Sequence, residues 1–415
     1  MGIHDREARV LIYSHDTFGL GHLRRCRAIA HSMVGERRAM SVLILSGSPI
    51  IGNFDFRARV DFVRVPGVIK LRNGDYTSLA LHIDIEETLA IRASIVRHTA
   101  EAFDPDLFIV DKEPLGLRGE VAGTLDLLKA RGVPLVLGLR DVLDDPLTLH
   151  KEWARKKVIP ALKDYFDEIW VYGMPEICDP LAGIRLPARV RNKVHYTGYL
   201  RRELPTAPAA HTALSKISAP YILVTPGGGG DGQQMVDWVL RAYESCSDLP
   251  YPALIVLGPF MASEDQSEFL ARCERLETVE AITFDARIEG LLDQAVGVVA
   301  MGGYNTFCEI LSFDKRALIV PRMEPRMEQY IRASRAWDLG LAGMLPNDGV
   351  RTAADMANAL RRLGSRPLPS TRMPDGMLDG LDNVNRLADR LLHRNGRRPG
   401  SIDLAPPLAV VGAEQ

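Results

Sequence analysis

The chain has 415 residues, more than the roughly 250–300 at which a single hydrophobic core stops growing, so two domains are expected. Its 46% hydrophobic and 25% charged residues are those of an ordinary globular protein, and a net charge of −2 with both signs interspersed argues against a nucleic-acid-binding face. The five cysteines, Cys26, Cys178, Cys246, Cys273 and Cys308, follow no metal-ligand spacing and read as reduced residues of a cytosolic protein; residues 1–9 are polar, and no apolar run approaches the roughly 18 residues of a membrane span.

Short β-branched apolar runs alternate with longer amphipathic stretches, the pattern of βα units around a parallel sheet. In the first half, strands are predicted at 8–15, 40–47, 60–66, 106–111, 134–140 and 168–173. Helical spacing follows at 23–34, 85–102 and 147–165. Residues 201–220 lose this periodicity and gain Pro205, Pro208 and Pro220, as a linker does. The alternation restarts with strands at 221–226, 252–258, 281–285, 297–302 and 316–321. The predicted division is an N-terminal domain at 1–200, a linker at 201–219, a C-terminal domain at 220–378, a helix at 379–394 and a disordered tail at 395–415, both domains being Rossmann-like and doubly wound.

Two glycine-rich turns follow first strands. Gly19 and Gly21 precede His22, where a helix N-terminus offers free N–H groups and the backbone can approach a ligand closely. Arg24 stands where a dinucleotide fingerprint needs glycine, which disfavours NAD; a tight turn with a packing histidine remains the alternative. In the second half, Gly227, Gly228, Gly229 and Gly230 with Asp231 lead into a helix from Gln233, a costly glycine run that points to a diphosphate. No Lys-Ser/Thr follows, so a P-loop is excluded.

The segment 301–340 is the most specific. Gly302 and Gly303 end a strand, and Asn305 or Thr306 is expected to cap a helix carrying Glu309 in its first turn, where a carboxylate can accept two hydroxyls of one ribose. Simple complementarity to the helix dipole is the plainer reading of Glu309. Glu324, Glu328 and Gln329 on the next loop can pair with sugar hydroxyls.

The run GGYNTFCEILSF(x)K(x)ALIVPR, followed by EQ(x)(x)RA(x)(x)(x)(x)(x)LG, resembles the donor-site signature of the MurG-like family, which makes the lipid-linked peptidoglycan disaccharide, and of its GT-B relatives in glycosyltransferase family 28. The likeness spans residues 8–365 as architecture, with two Rossmann-like domains facing each other across a cleft. It implies that Glu309 holds the donor ribose, that Glu328 and Gln329 address the sugar, that Gly228–Asp231 surround the diphosphate, and that the loop containing Arg287 and Ile288 reads uracil. Arg201 or Arg202 is similar to a linker arginine near the phosphates, and His22 to a histidine near the reacting centre. Two departures stand out: Glu328 replaces the first Gln of a pair, putting N-acetylglucosamine as the sugar in doubt, and TFGLGHLRR replaces a GTGGH loop, so the acceptor differs from the lipid-linked muropeptide.

The resemblance implies a hexosyltransferase: an inverting transfer from a UDP-sugar, or another nucleotide-sugar, to an acceptor hydroxyl, with neither metal nor cofactor. His22 is the first candidate base, with Asp111 and Glu113 as alternatives. A nucleotide-sugar epimerase or hydrolase of the same architecture, or a non-catalytic nucleotide-sugar-binding protein, is the competing reading. The acceptor is expected to meet loops near residues 67–76 and 141–146, and the family's lipid-linked substrates raise a peripheral membrane contact through Arg24, Arg25, Arg27, Arg37 and Arg38.

Overall fold

The computed structural model describes residues 7–15, 20–36, 39–71, 75–204, 216–218, 220–228, 230–285, 287–346, 349–350 and 352–394. Gly19, Gly229, Arg37, Arg38, much of the expected linker and the tail expected at 395–415 lie outside the described residues.

The N-terminal half begins with β1 (Ala8–Ser14), α1 (Gly21–Glu36), β2 (Met40–Ser46) and β3 (Val60–Arg64). A small hairpin, β4 (Val68–Lys70) and β5 (Tyr76–Ser78), precedes α2 (Ile85–Phe103). Then come β6 (Leu107–Asp111), α3 (Ala122–Ala130), β7 (Leu135–Arg140), α4 (Pro146–Arg155), α5 (Val158–Asp164), β8 (Glu168–Tyr172), α6 (Ala188–Arg191) and β9 (Val194–Tyr196). Seven strands form a parallel sheet in the order β3-β2-β1-β6-β7-β8-β9. Its strands read as continuous apolar runs because helices cover both faces. The helix expected at 147–165 is two helices, broken where Lys157 adopts a left-handed φ of 52°.

The C-terminal half contains β10 (Tyr221–Thr225), α7 (Gln233–Ser245), β11 (Ala253–Val256), α8 (Ser263–Glu274), β12 (Val279–Ile282) and α9 (Ile288–Gln294). It continues through β13 (Ala295–Ala300), α10 (Tyr304–Ser312), β14 (Arg316–Ile319), α11 (Glu328–Asp338), β15 (Gly343–Met344) and α12 (Ala353–Leu363). Its parallel sheet has the order β12-β11-β10-β13-β14-β15.

The last helix, α13 (Gly380–Arg394), returns to the N-terminal half. Asn385 Nδ2 donates to Ser32 Oγ of α1 at 2.9 Å, Arg390 donates to Glu168 of β8 at 2.7 Å, and Val384, Ala388 and Leu391 are buried. One apolar core runs across the junction: Tyr199 stacks on Tyr304 at 6.0 Å and meets Phe307 edge-on at 5.2 Å.

Each sheet reverses its winding beside its first strand, between β1 and β6 and between β10 and β13. Crevices at such switch points, outside the carboxyl ends of the strands, are where open α/β sheets bind ligands. Contacts from α1 to the α10 segment bring the two crevices together: Asn305 Nδ2 donates to the Gly21 carbonyl at 3.0 Å.

Candidate active site

His22 is the second residue of α1, after β1, and Asp111 is the last residue of β6, so the pair straddles the first switch point. His22 Nδ1 bonds Asp111 Oδ2. A carboxylate can only accept, so Nδ1 carries the proton and Nε2 keeps a free lone pair. Arg25, one helical turn along α1, grips the same carboxylate with Nε at 2.8 Å and Nη2 at 2.7 Å. Burial pushes the Asp111 carboxyl up, but Arg25 and His22 outweigh it and hold Asp111 far below the ordinary carboxylate value. Burial pulls His22 below its ordinary value, and Asp111 opposes that pull only in part. His15 packs edge-on against His22, ring centroids 5.7 Å apart.

Glu113 is turned elsewhere. Its carboxylate accepts from Lys156 Nζ at 2.9 Å, and although burial opposes it, Lys112, His15 and Lys156 hold Glu113 down to about 2. Between Asp111 and Glu113, Lys112 adopts a left-handed φ of 68° and donates its N–H to the Gly138 carbonyl at 2.8 Å. Burial brings its amine down to about 8.

Across the cleft, Gly303 rather than Asn305 or Thr306 caps α10, so Glu309 is the sixth residue of that helix and not in its first turn. The Asn305 side chain is spent otherwise, donating to Gly21 and accepting from Arg202 Nη2 at 2.8 Å. Glu309 is 1% exposed and lies 2.6 Å from Arg24 Nη2 of α1, yet neither of its oxygens receives a well-directed hydrogen bond among the described residues. Burial pushes its carboxyl above the ordinary value; Arg24 pulls it down and Glu289 pushes it further up.

The second glycine turn lies at the end of β10 and beside α10: Gly227, Gly228, Asp285, Ile288 and Thr306 line one crevice with Leu20, Arg24 and Phe54 of the N-terminal half. Leu20 packs so tightly on Gly228 that a Cβ there would lie 3.0 Å from it. Gly230 accepts from Gln233 at 3.1 Å, and Gly232, with φ 112°, caps α7. Arg287 bonds its N–H to Asp285 at 2.7 Å, half exposed, and its guanidinium faces Asp55 at 3.7 Å. Arg201 is exposed, whereas Arg202 reaches α10 through Asn305 and Ser312.

Glu328 and Gln329 open α11 and are both buried; Glu324 is exposed, away from them. Glu328 pairs with Arg140 at the end of β7 and with Arg322, which also binds Asp231. Burial works against ionisation, but Arg140, Arg332 and Arg322 hold Glu328 down to about 2. Gln329 Oε1 accepts the Arg322 N–H at 3.1 Å.

In the loop at 141–146, Asp141 is fully buried against Arg332 of α11, at 2.6 and 2.7 Å, and Asp144 binds the Met327 N–H and Arg326. Of the arginines that raised a membrane contact, Arg37 and Arg38 lie outside the described residues, and the other three are engaged within the fold. Arg25 is 1% exposed against Asp111, Arg24 faces Glu309 and Glu289, and Arg27 lies over the Phe54 ring at 5.5 Å. Among the described residues no three His, Cys, Asp or Glu side chains gather as a metal site, and no helix is long and apolar enough to cross a membrane.

His15, Arg25, Lys112, Arg140, Asp141, Arg322 and Arg332 are absent from the sequence-derived site. Only Arg25, three residues after His22 on a predicted helix, carried a local signal.

The chain matches no family model and no curated protein sequence. It is similar to solved structures. The calicheamicin glycosyltransferase CalG4 shares 15% identity with it at a TM-score of 0.58, covering 94% of this chain and 99% of that one. The glycosyltransferase VinC in complex with dTDP shares 17% at 0.58, over 93% and 100%, and LpCGTa in complex with UDP shares 13% at 0.60, over 94% and 99%. The fold is GT-B. At these identities the likeness is one of architecture.

Proposed function

We propose that this chain is an inverting, metal-independent glycosyltransferase that moves a sugar from a UDP-sugar to an acceptor hydroxyl. The observation that carries the reading is the His22–Asp111 pair at one switch point, facing a glycine-rich crevice at the other. The UDP and dTDP held by two structural neighbours support a nucleoside diphosphate in that crevice. The N-terminal half, residues 1–200, binds the acceptor, and residues 220–378 bind the donor.

In this mechanism His22 Nε2 takes the acceptor hydroxyl proton, and Asp111 stabilises the imidazolium that forms. The acceptor oxygen attacks the anomeric carbon from the face opposite the diphosphate. The carbon–oxygen bond to phosphate breaks, and its electron pair leaves with the nucleoside diphosphate. Free N–H groups at the starts of α7 and α10 meet the charge that grows there, with Arg202 beside them. Glu309 accepts the ribose hydroxyls and Ile288 flanks the uracil, while Arg287, next to Ile288, faces the neighbouring cavity. Gln329, with Glu328 fixed by two arginines, meets the sugar hydroxyls.

The crevice between Leu20, Arg24 and the glycine turn leaves only about 40 Å³, so the donor enters by displacing Arg24 from Glu309 and moving Leu20 aside. A ligand that binds only the native state raises its apparent stability. UDP is therefore expected to raise the melting temperature, and activity is expected to persist in EDTA. Stabilisation by GDP and ADP without UDP would overturn the uracil assignment, and a divalent-ion requirement would overturn the reliance on helix N-termini.

A further inference from the structure

A second cavity, of about 470 Å³, opens on the other side of Arg24 from the glycine crevice, between α1, the loop after β2, the interdomain segment at residues 201–204 and the start of α13. It is within the range of small-molecule sites, roughly 300–1,000 Å³. Among the described residues, only Arg24 and Phe54 line both spaces. Six arginines face it, Arg24, Arg27, Arg57, Arg201, Arg202 and Arg287, against four carboxylates, Asp55, Glu203, Glu289 and Asp382. His31 adds no charge at neutral pH, since burial, with Arg27 and Arg57 beside it, holds it down to about 3.

The carboxylates do not use up these guanidinium groups. Arg57 meets Glu203 only at 3.4 Å and Arg287 meets Asp55 only at 3.7 Å, both as exposed pairs. Arg27 spends its Nε on the Asp55 carbonyl at 2.9 Å and has no carboxylate at ion-pair distance among the described residues. Among the described residues, Arg202 Nη1 is buried without a hydrogen-bond partner. Like charges gathered at such close quarters repel one another, and the cost falls when an anion binds between them.

We propose that this cavity is a second anion site, separate from the donor crevice, which takes a phosphate ester or diphosphate on Arg27, Arg57 and Arg201. Guanidinium forks bind phosphate oxygens two at a time, and several of them converging here suit a group with more than one negative charge. The site rests on the donor reading in one respect, that UDP occupies the glycine crevice and leaves this cavity free. Because Arg24 lines both spaces, an anion that draws it toward Arg27 frees Glu309, so the two ligands do not compete.

The test is a calorimetric titration of pyrophosphate into the full chain saturated with UDP, repeated on the double variant Arg27→Ala/Arg57→Ala and on Arg27→Lys/Arg57→Lys. Pyrophosphate is expected to bind the parent and to bind the alanine variant at least about tenfold more weakly, with the lysine variant in between and UDP affinity within about twofold throughout. Competition between pyrophosphate and UDP, equal binding to the alanine variant, or no binding to the parent would overturn the second site. If UDP itself fails to bind, the donor reading falls, and the parent against the alanine variant without UDP still reads the cavity. Glycerol 3-phosphate and phosphatidylglycerol vesicles then separate the sources: binding of the soluble ester alone marks a free phosphate, and salt-sensitive sedimentation with vesicles marks a lipid headgroup.

Discussion

A histidine serves as a base when one ring nitrogen is committed and the other is free, and at His22 the commitment is made by Asp111, 89 residues away in sequence. Arg25 keeps that carboxylate ionised, so in the proposed mechanism Asp111 orients the ring and does not take the proton itself. Asp111→Asn is expected to leave donor KM near that of the parent and to lower kcat by about 10²–10⁴, because the amide no longer demands the correct tautomer. Equal turnover would reduce the pair to a packing contact. The pH profile checks the same point. A base must be neutral, and burial holds His22 below its ordinary value, so kcat/KM should stay level through pH 6.5 and fall only at more acidic pH. At this scale the sequence exposed His22 through its glycine turn and Asp111 through its strand end, but their pairing depends on β1 and β6 being neighbours. Glu309 was legible as a residue and misplaced by two or three positions, since Gly303 takes the cap that Asn305 or Thr306 was expected to hold.

Among the elements, α11 joins the halves through buried charge. Its Arg332 makes a two-pronged pair with Asp141, both fully buried, and donates to the Gly302 carbonyl at 2.8 Å, while Tyr199 donates to Asp141 at 2.7 Å. Removing one partner of a buried pair leaves an uncompensated charge, so Arg332→Ala is expected to cost about 3–5 kcal/mol in urea unfolding. A loss under about 1 kcal/mol would show the pair to be solvated. Glu328, held down to about 2, has a depressed folded value, so its contribution is complete above the unfolded value of about 4.5 and lost as pH falls from there toward 2. Glu328→Gln should flatten the acid limb of stability in that window, as read by melting temperature against pH. The elements themselves were largely legible: both-face-buried strands give apolar runs, and α1, α2, α7 and α13 lie where helical spacing put them. The break at Lys157 and the two- and three-residue strands β15 and β9 were not, because a left-handed residue and short edge strands leave no periodic trace.

At the scale of the whole molecule, two open sheets place their switch points on either side of one cleft, and Leu20 and Arg24 of one half fill the crevice of the other. Arg24→Ala should therefore tighten UDP binding, since Glu309 would no longer be engaged; weaker binding would mean that Arg24 belongs to the donor site. The two glycine turns made the paired architecture readable, whereas the ion pairs that close it join residues more than 180 positions apart and could not be read from local pattern. The most direct test follows UDP release from a UDP-sugar against donor concentration for the parent, His22→Ala and Glu309→Ala. A ribose contact is made equally in ground and transition states, so Glu309→Ala should raise KM about tenfold or more and spare kcat, while His22→Ala should lower kcat by about 10²–10⁴ and spare KM. Near-parent turnover by His22→Ala would contradict the placement of the base.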